Sequence, residues 1–278
     1  MMTTRTFLSR LAAYAVTLLL AAFIGFPLLW MLISSFKPAT QLFVSPPQLL
    51  PTEFTLDWYR NLVHQSDALT FFWNSFVVGA ATTAICLVLG TLAGYAVTRF
   101  EFPGKGIFLV GALLSYVFPA IVLFVPIYMI INSLSLTDTL LGIVICHTIL
   151  TFPFALWMLR SFFAAIPREI DEAAWVDGAS FLRAFATIIL PLALPGVFSV
   201  GVFVFVLSWN EYLFASVLVT SNAHKTIPLG IAEFITSFDV RWGEIMAMGT
   251  LATLPVIALF LSVQRYFLRG VLSGAVKG

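Results

Sequence analysis

Charge is what this sequence has least of. Of its 278 residues only 10% are Asp, Glu, Lys or Arg, where a soluble domain carries about a quarter. So few charges cannot clothe a water-facing surface, and 60% of the residues are hydrophobic, with a mean hydropathy of +1.02. Cysteine is almost absent. Cys86 and Cys146 share no metal-ligand spacing and read as packing residues, which leaves the redox compartment open. Histidine is as rare, no H-E-x-x-H occurs, and His147 has no partner at a telling spacing, so it too reads as packing. An intramembrane enzyme would need a converging nucleophile and base or a metal motif, and neither is evident. The phosphate-binding pattern G-x-x-x-x-G-K-[ST] is missing as well: Gly104-Lys105-Gly106 does not fit it, and Leu272-Ser273-Gly274 stands alone. A net charge of +1 gives no hint of nucleic acid.

What is present is a set of long charge-free intervals. A spanning helix needs roughly 20 apolar residues. Such intervals predict spans over about 11–36, 70–98, 107–132, 139–159, 192–219 and 245–264. The third contains Pro119 and Pro126, which neighbouring helices in a bundle tolerate. The expectation is an all-α integral membrane protein with six transmembrane helices, one domain over 1–278, and no soluble appendage or internal repeat. The first span is too long for a secretory signal core and lacks a convincing cleavage pattern, so it reads as retained.

Six spans place both termini on one side. With that side cytoplasmic, ten of the fourteen Lys and Arg residues lie inside, and only Lys37, Arg60, Lys225 and Arg241 lie outside. This satisfies the positive-inside bias, which the opposite orientation violates. The outer loops are then about 37–67, rich in proline and aromatics, and about 221–243. Inside, Arg99–Lys105 is a tight turn.

The remaining inner loop, about 166–191, gathers Glu169, Asp171, Glu172 and Asp177 in an otherwise nearly charge-free chain. Pro167 suits a helix start, and acids in the first turns complement the helix dipole. Ala173 and Ala174 offer a face that another surface can approach closely. Gly178 stands where a helix would end with positive φ. A second helix over roughly 181–190 then leads toward Pro191, Pro195 and span five. Two readings stay open on physics alone: a rigid docking knob, or an amphipathic loop resting on headgroups.

The residues themselves carry a resemblance. Glu172-Ala173-Ala174, three residues, Gly178, nine residues, Ile188, one residue, then Leu190-Pro191 matches the EAA motif of ATP-binding-cassette importer permeases at every position. Ser34-Ser35-Phe36-Lys37-Pro38, Trp73-Asn74-Ser75, Tyr95 to Phe100, Trp209-Asn210-Glu211 and the tail from Ser273 extend the resemblance over essentially the whole chain. It resembles the shorter permease subunit of carbohydrate importers of the maltose-transporter type. One departure is Ser135, where relatives usually have glycine.

The resemblance implies a type I importer transmembrane domain in a bacterial cytoplasmic (inner) membrane, crossing it several times, with cytoplasmic termini. It implies a companion permease that is a different chain, two cytoplasmic ATP-binding subunits that hold ATP and Mg, an extracytoplasmic solute-binding protein, and no cofactor or catalytic residue here. The inner loop would be the coupling helix: Glu169, Glu172 and Asp177 as polar contacts, Ala173 and Ala174 for close packing, Gly178 for the bend. Gly274 and Lys277 in the tail would approach the ATPase subunits.

For the substrate pathway the candidates are Asn210 and Glu211, with Trp209 and Tyr212 as stacking neighbours, and Tyr116, Tyr128 and Asn132. The alternative is that Glu211 lies at the outer interface or pairs with the companion chain, and that the others pack between helices. A rival of another class is a self-contained ion-coupled carrier. It would show intramembrane ionisable pairs or two similar halves, and neither is visible in the sequence.

Overall fold

The computed structural model of the chain describes residues 4–64, 66–236 and 238–275, with side chains from residue 10 to residue 264. The described residues are helices and loops apart from one isolated bridge between Ile235 and Val240. In chain order the helices are α1 (Thr4–Ser34), α2 (Ala39–Leu42), α3 (Asp57–His64), α4 (Ala68–Arg99), α5 (Lys105–Val117), α6 (Ala120–Ser133) and α7 (Leu140–Ala164). They continue with α8 (Arg168–Val176), α9 (Phe181–Ala184), α10 (Leu190–Trp209), α11 (Ala215–Leu218), α12 (Ile227–Glu233) and α13 (Trp242–Ala275). A π-helical turn, Phe185–Ile189, joins α9 to α10, so one rod of 29 residues runs from Phe181 to Trp209.

Five helical stretches are long and apolar enough to cross a membrane, and a bent pair brings the number to six if it counts as one span. The bent pair is the third apolar stretch. It consists of α5 and α6, which meet at 109° around Phe118 and Pro119. The cause is local. Pro119 cannot donate to the helix ladder, and the residue before a proline is pushed to extended backbone, here ψ 135° at Phe118. With 13 and 14 residues, each half is about 20 Å long, short of a hydrocarbon core of about 30 Å. Pro126 stays inside α6.

Two further boundaries differ from the sequence reading. The fifth span starts earlier than 192 and ends at Trp209 rather than near 219. Pro191 follows directly on the π-helical turn, and the helix is not interrupted there. Ser135 holds φ 55° and still closes α6. The Ser135 N–H donates to Asn132 O at 2.9 Å and Leu136 N–H to Ile131 O at 3.1 Å, the paired bonds of a Schellman end.

The chain divides into two compact units. One holds the chain up to Leu69 together with Ile231–Leu254, the other Thr70–Gly230 with the chain from Pro255 onward. In the first unit, Ser35 and Lys37 tie down the loop that follows α1. Ser35 Oγ lies 2.6 Å from Tyr59 Oη, and the buried Lys37 ammonium donates to Gln48 O at 2.6 Å and stands 4.4 Å over the Trp30 ring. Trp58 Nε1 in turn donates to Lys37 O at 2.7 Å.

In the second unit, α4, α7 and α10 build the core around Cys86, Ala155, Leu159, Ile189 and Val200. Gly94 permits the approach of α4 to α7: a β-carbon there would stand 3.1 Å from Arg160 N. In a bilayer such packing stabilises by van der Waals contact more than by water exclusion. A second cluster joins α4, α6 and α7 to α11 through Val78, Ile131, Ile143 and Leu218. On α1, Leu18, Leu19 and Phe23 are each at least 70% exposed, surface suited to lipid or to other apolar helices.

Candidate functional site

The acidic loop at 166–191 folds as a helix, a sharp bend and a second helix. Pro167 stands at the N-cap of α8, and Glu169 and Asp171 occupy its first turn. Gly178 takes φ 84°. Its N–H donates to Trp175 O at 3.0 Å and the Ala179 N–H to Ala174 O at 2.9 Å, a second Schellman end. A β-carbon at Gly178 would meet nothing within 4 Å, so what glycine supplies there is the left-handed backbone. Ser180 then caps α9 by accepting from Arg183 N.

Asp171 does more than complement a dipole. Its side chain is 1% exposed and its Oδ2 lies 2.7 Å from Arg99 Nε, at the end of α4. Tyr95 Oη donates to Asp171 Oδ1 at 2.8 Å. Arg99 also donates to Ile166 O at 2.9 Å, and Arg168 reaches back to Thr98 O at 2.9 Å. Aromatic rings surround this polar knot: Tyr95 packs on Phe163 and Phe185 with centroids 5.7 and 4.8 Å away, and Phe100 meets Phe181 edge-on at 5.6 Å. The loop is therefore latched to the last turn of α4 and to the base of α10. The sequence reading counted Asp171 only among the acids of the first turn, because its partners lie 72 and 76 positions away.

The opposite side of the knob is bare. Glu169, Glu172, Ala173, Asp177 and Gly178 are exposed, and Val176 and Leu182 are 87% and 75% exposed. Ala174 is not among them: at 5% exposure it packs inside the chain, so of the two motif alanines only Ala173 is left for another surface. In the tail, Gly274 lies near the end of α13, and Lys277 falls outside the described residues.

The pathway candidates fall at the end of α10 and on α5 and α6. Asn210 and Glu211 follow the end of α10. Asn210 is exposed and donates to Val206 O at 2.8 Å, closing its own helix. Glu211 accepts from Phe214 N at 2.9 Å and Ala215 N at 3.1 Å, and lies 3.1 Å from His147 Nε2. His147, 1% exposed, also reaches Ser208 Oγ through Nδ1 at 2.8 Å. The histidine read as packing is thus a hydrogen-bonded centre joining α7 to the end of α10, and Glu211 finds its partner within this chain. Trp209 is 4% exposed and stacks on Phe205 at 5.3 Å, which removes it as a platform for a sugar, whereas Tyr212 is 47% exposed. Tyr116, Tyr128 and Asn132 are exposed along α5 and α6, Tyr116 with its ring 6.1 Å from Phe154.

At the other end of the same unit, Asn74 and Ser75 hold the loop around residues 223–227. Asn74 Nδ2 donates to Ala223 O and Lys225 O, both at 2.9 Å, and Ile227 N donates to Ser75 Oγ at 2.8 Å. Asp138 Oδ1 accepts from Thr220 N and Ser221 N at 3.0 Å. These N–H groups hold its carboxyl down to about 2. No group of His, Cys, Asp and Glu suited to a metal occurs among the described residues.

Residues 86–273 match the family model described as "Binding-protein-dependent transport system inner membrane component". An inner membrane ABC transporter permease protein of Escherichia coli (strain K12) is 35% identical over the full length of both chains. A trehalose transport system permease protein of Mycobacterium tuberculosis (strain CDC 1551 / Oshkosh) is 38% identical, with 91% of this chain and 92% of that protein covered. Among solved structures, a chain from a bacterial ABC transporter involved in the import of the acidic polysaccharide alginate superposes with a TM-score of 0.79. It is 20% identical and covers 96% of this chain and 99% of its own, a likeness of fold. A transporter subunit rather than an enzyme, this chain belongs to the family of inner membrane components of binding-protein-dependent transport systems.

Proposed function

We propose that this chain forms half of the translocation pathway of an ATP-driven importer for a carbohydrate, and that 1–278 acts as one transmembrane domain with both termini in the cytoplasm. The observation that carries the proposal is the inner knob, latched to α4 through buried Asp171 and exposed on its far side at Glu169, Glu172 and Ala173. A part built this way transmits force. Closure of two cytoplasmic ATP-binding subunits around ATP and Mg would draw the knob, and the latch would hand the displacement to α4 and α10. The companion permease is a different chain, and an extracytoplasmic solute-binding protein meets the loop held by Asn74 and Asp138. The carbohydrate assignment is supported by relatives such as the trehalose permease protein.

The His147–Glu211 pair is the kind of buried ionisable pair an ion-coupled carrier would use. Family membership weighs against that reading, and the two readings separate cleanly. Uptake into cells that retain an ion gradient but lack ATP stops in an ATP-driven importer and continues in a carrier. The coupling role is tested by Glu172→Lys. It reverses an exposed charge without touching the latch, so the protein inserts at normal abundance while uptake falls at least tenfold. Unaltered uptake would remove the coupling assignment and leave the fold intact.

A further inference from the structure

Two cavities lie in sequence along α4, α5 and α7. The first, about 600 Å³, opens where these helices end at the inner face and is lined by Arg99, Lys105, Arg160 and Arg168, with Glu169 the one acid in its wall. Arg99 is committed to Asp171, and Lys105 to Glu101 at 2.8 Å. Arg160 and Arg168 have no carboxylate within ion-pair distance among the described residues; Arg160 lies 5.0 Å over the ring of Trp157. The mouth is therefore a site short of negative charge.

The second cavity, about 510 Å³, is apolar. It runs deeper between the same helices past Leu89, Phe108, Ala112, Ile149 and Phe152. On α5, Phe108, Gly111, Ala112 and Ser115 recur at three- and four-residue spacing and line one face beyond Lys105. From Lys105 to Ser115 is about 15 Å along the axis. The groove is open beside Gly111, where a β-carbon would meet nothing within 4 Å.

A cationic mouth followed along the same three helices by an apolar groove, whose last lining residue on α5 lies about 15 Å from Lys105, matches one chemistry better than a free anion or an acidic protein segment. We infer that the pair of cavities seats one anionic phospholipid of the inner leaflet, its phosphate between Arg160 and Arg168 and one acyl chain in the α5–α7 groove. Basic pockets between helices at the cytoplasmic face take such headgroups, and guanidinium groups bind phosphate oxygens in pairs. The bound lipid would join the base of α8 to α5, beside the proposed coupling knob. The inference rests on the cytoplasmic orientation of this face, not on the identity of the transported solute.

The test is lipid retention. The whole transporter is purified from membranes containing phosphatidylglycerol and phosphatidylethanolamine, and bound lipids are counted by native mass spectrometry. Retained phosphatidylglycerol falls about fivefold for each arginine neutralised in Arg160→Gln and Arg168→Gln, with phosphatidylethanolamine unchanged. Arg160→Lys, which keeps the charge, retains it. Gly111→Leu, which fills the groove without harming helix propensity, also lowers retention. Phosphatidylglycerol unchanged in the Gln variants and in Gly111→Leu overturns the inference. So does displacement by excess inorganic phosphate, which would assign the mouth to a free anion. Loss of the ATP-binding subunit from the Gln variants, with lipid retention unaltered in Gly111→Leu, would assign it to an acidic protein segment.

Discussion

Asp171→Asn removes one charge and almost no volume from the interior of the knob. Arg99, with its side chain 3% exposed, then loses its ionic partner and keeps neutral acceptors such as the carbonyl of Ile166. Leaving one member of a buried pair uncompensated costs about 3–5 kcal/mol. Because the pair joins α8 to α4, that cost falls on the closed position of the knob and not on membrane insertion. A loss of about 3 kcal/mol raises the population of the opened loop at least about a hundredfold. Arg168 and Arg183 are exposed on the knob, so trypsin reads the opening directly. In inside-out vesicles carrying this chain without the ATPase subunit, cleavage there quickens by about that factor. Arg99→Met combined with Asp171→Leu removes both charges and restores most of the protection, since an apolar pair of similar volume is often no less stable. Cleavage of Asp171→Asn within twofold of the unaltered chain would refute the latch.

Three further outcomes are expected. Ser135→Gly relieves a left-handed serine at φ 55° and raises stability by about 1 kcal/mol, read as a higher thermal midpoint in detergent. Asp138 has its carboxyl held at about 2 by the Ser221 and Thr220 N–H groups, so its stabilising contribution is complete above pH of about 4 and is lost as pH falls through 2. Protease protection of the loop at 220–225 therefore stays level from neutral pH to about 4 and declines below it, and Asp138→Asn abolishes the dependence. His147→Leu strands the Ser208 hydroxyl and removes one partner of Glu211, costing about 1–3 kcal/mol by thermal unfolding, whereas His147→Gln retains part of it.

The apolar intervals and the EAA spacing are local patterns, and the helices and the Gly178 bend follow them closely. What the sequence does not carry is contact between distant positions. Tyr95 with Asp171, His147 with Glu211 and Asn74 with Lys225 are separated by 76, 64 and 151 residues, and no periodicity links them. The same holds for Ala174 and Trp209, whose motif positions suggest exposure but which face the core. The sequence reading ran one span through Pro119, whereas α5 and α6 part there with a 109° bend and each packs on α7, a contact the sequence does not carry. The continuation of the Phe181–Trp209 rod through Pro191 rests on a π-turn that residue types do not announce.

The most direct test of the account is a crosslink from the exposed face of the knob. Cys86 and Cys146 are both buried, so Glu172→Cys introduces the accessible thiol without further changes. Treated in intact membranes with a short thiol-reactive crosslinker, this variant yields an adduct with an ATP-hydrolysing subunit, formed at different rates with and without ATP. An adduct to lipid or to nothing at Glu172, in membranes where ATP-driven uptake persists, would contradict the claim that this knob is the coupling element.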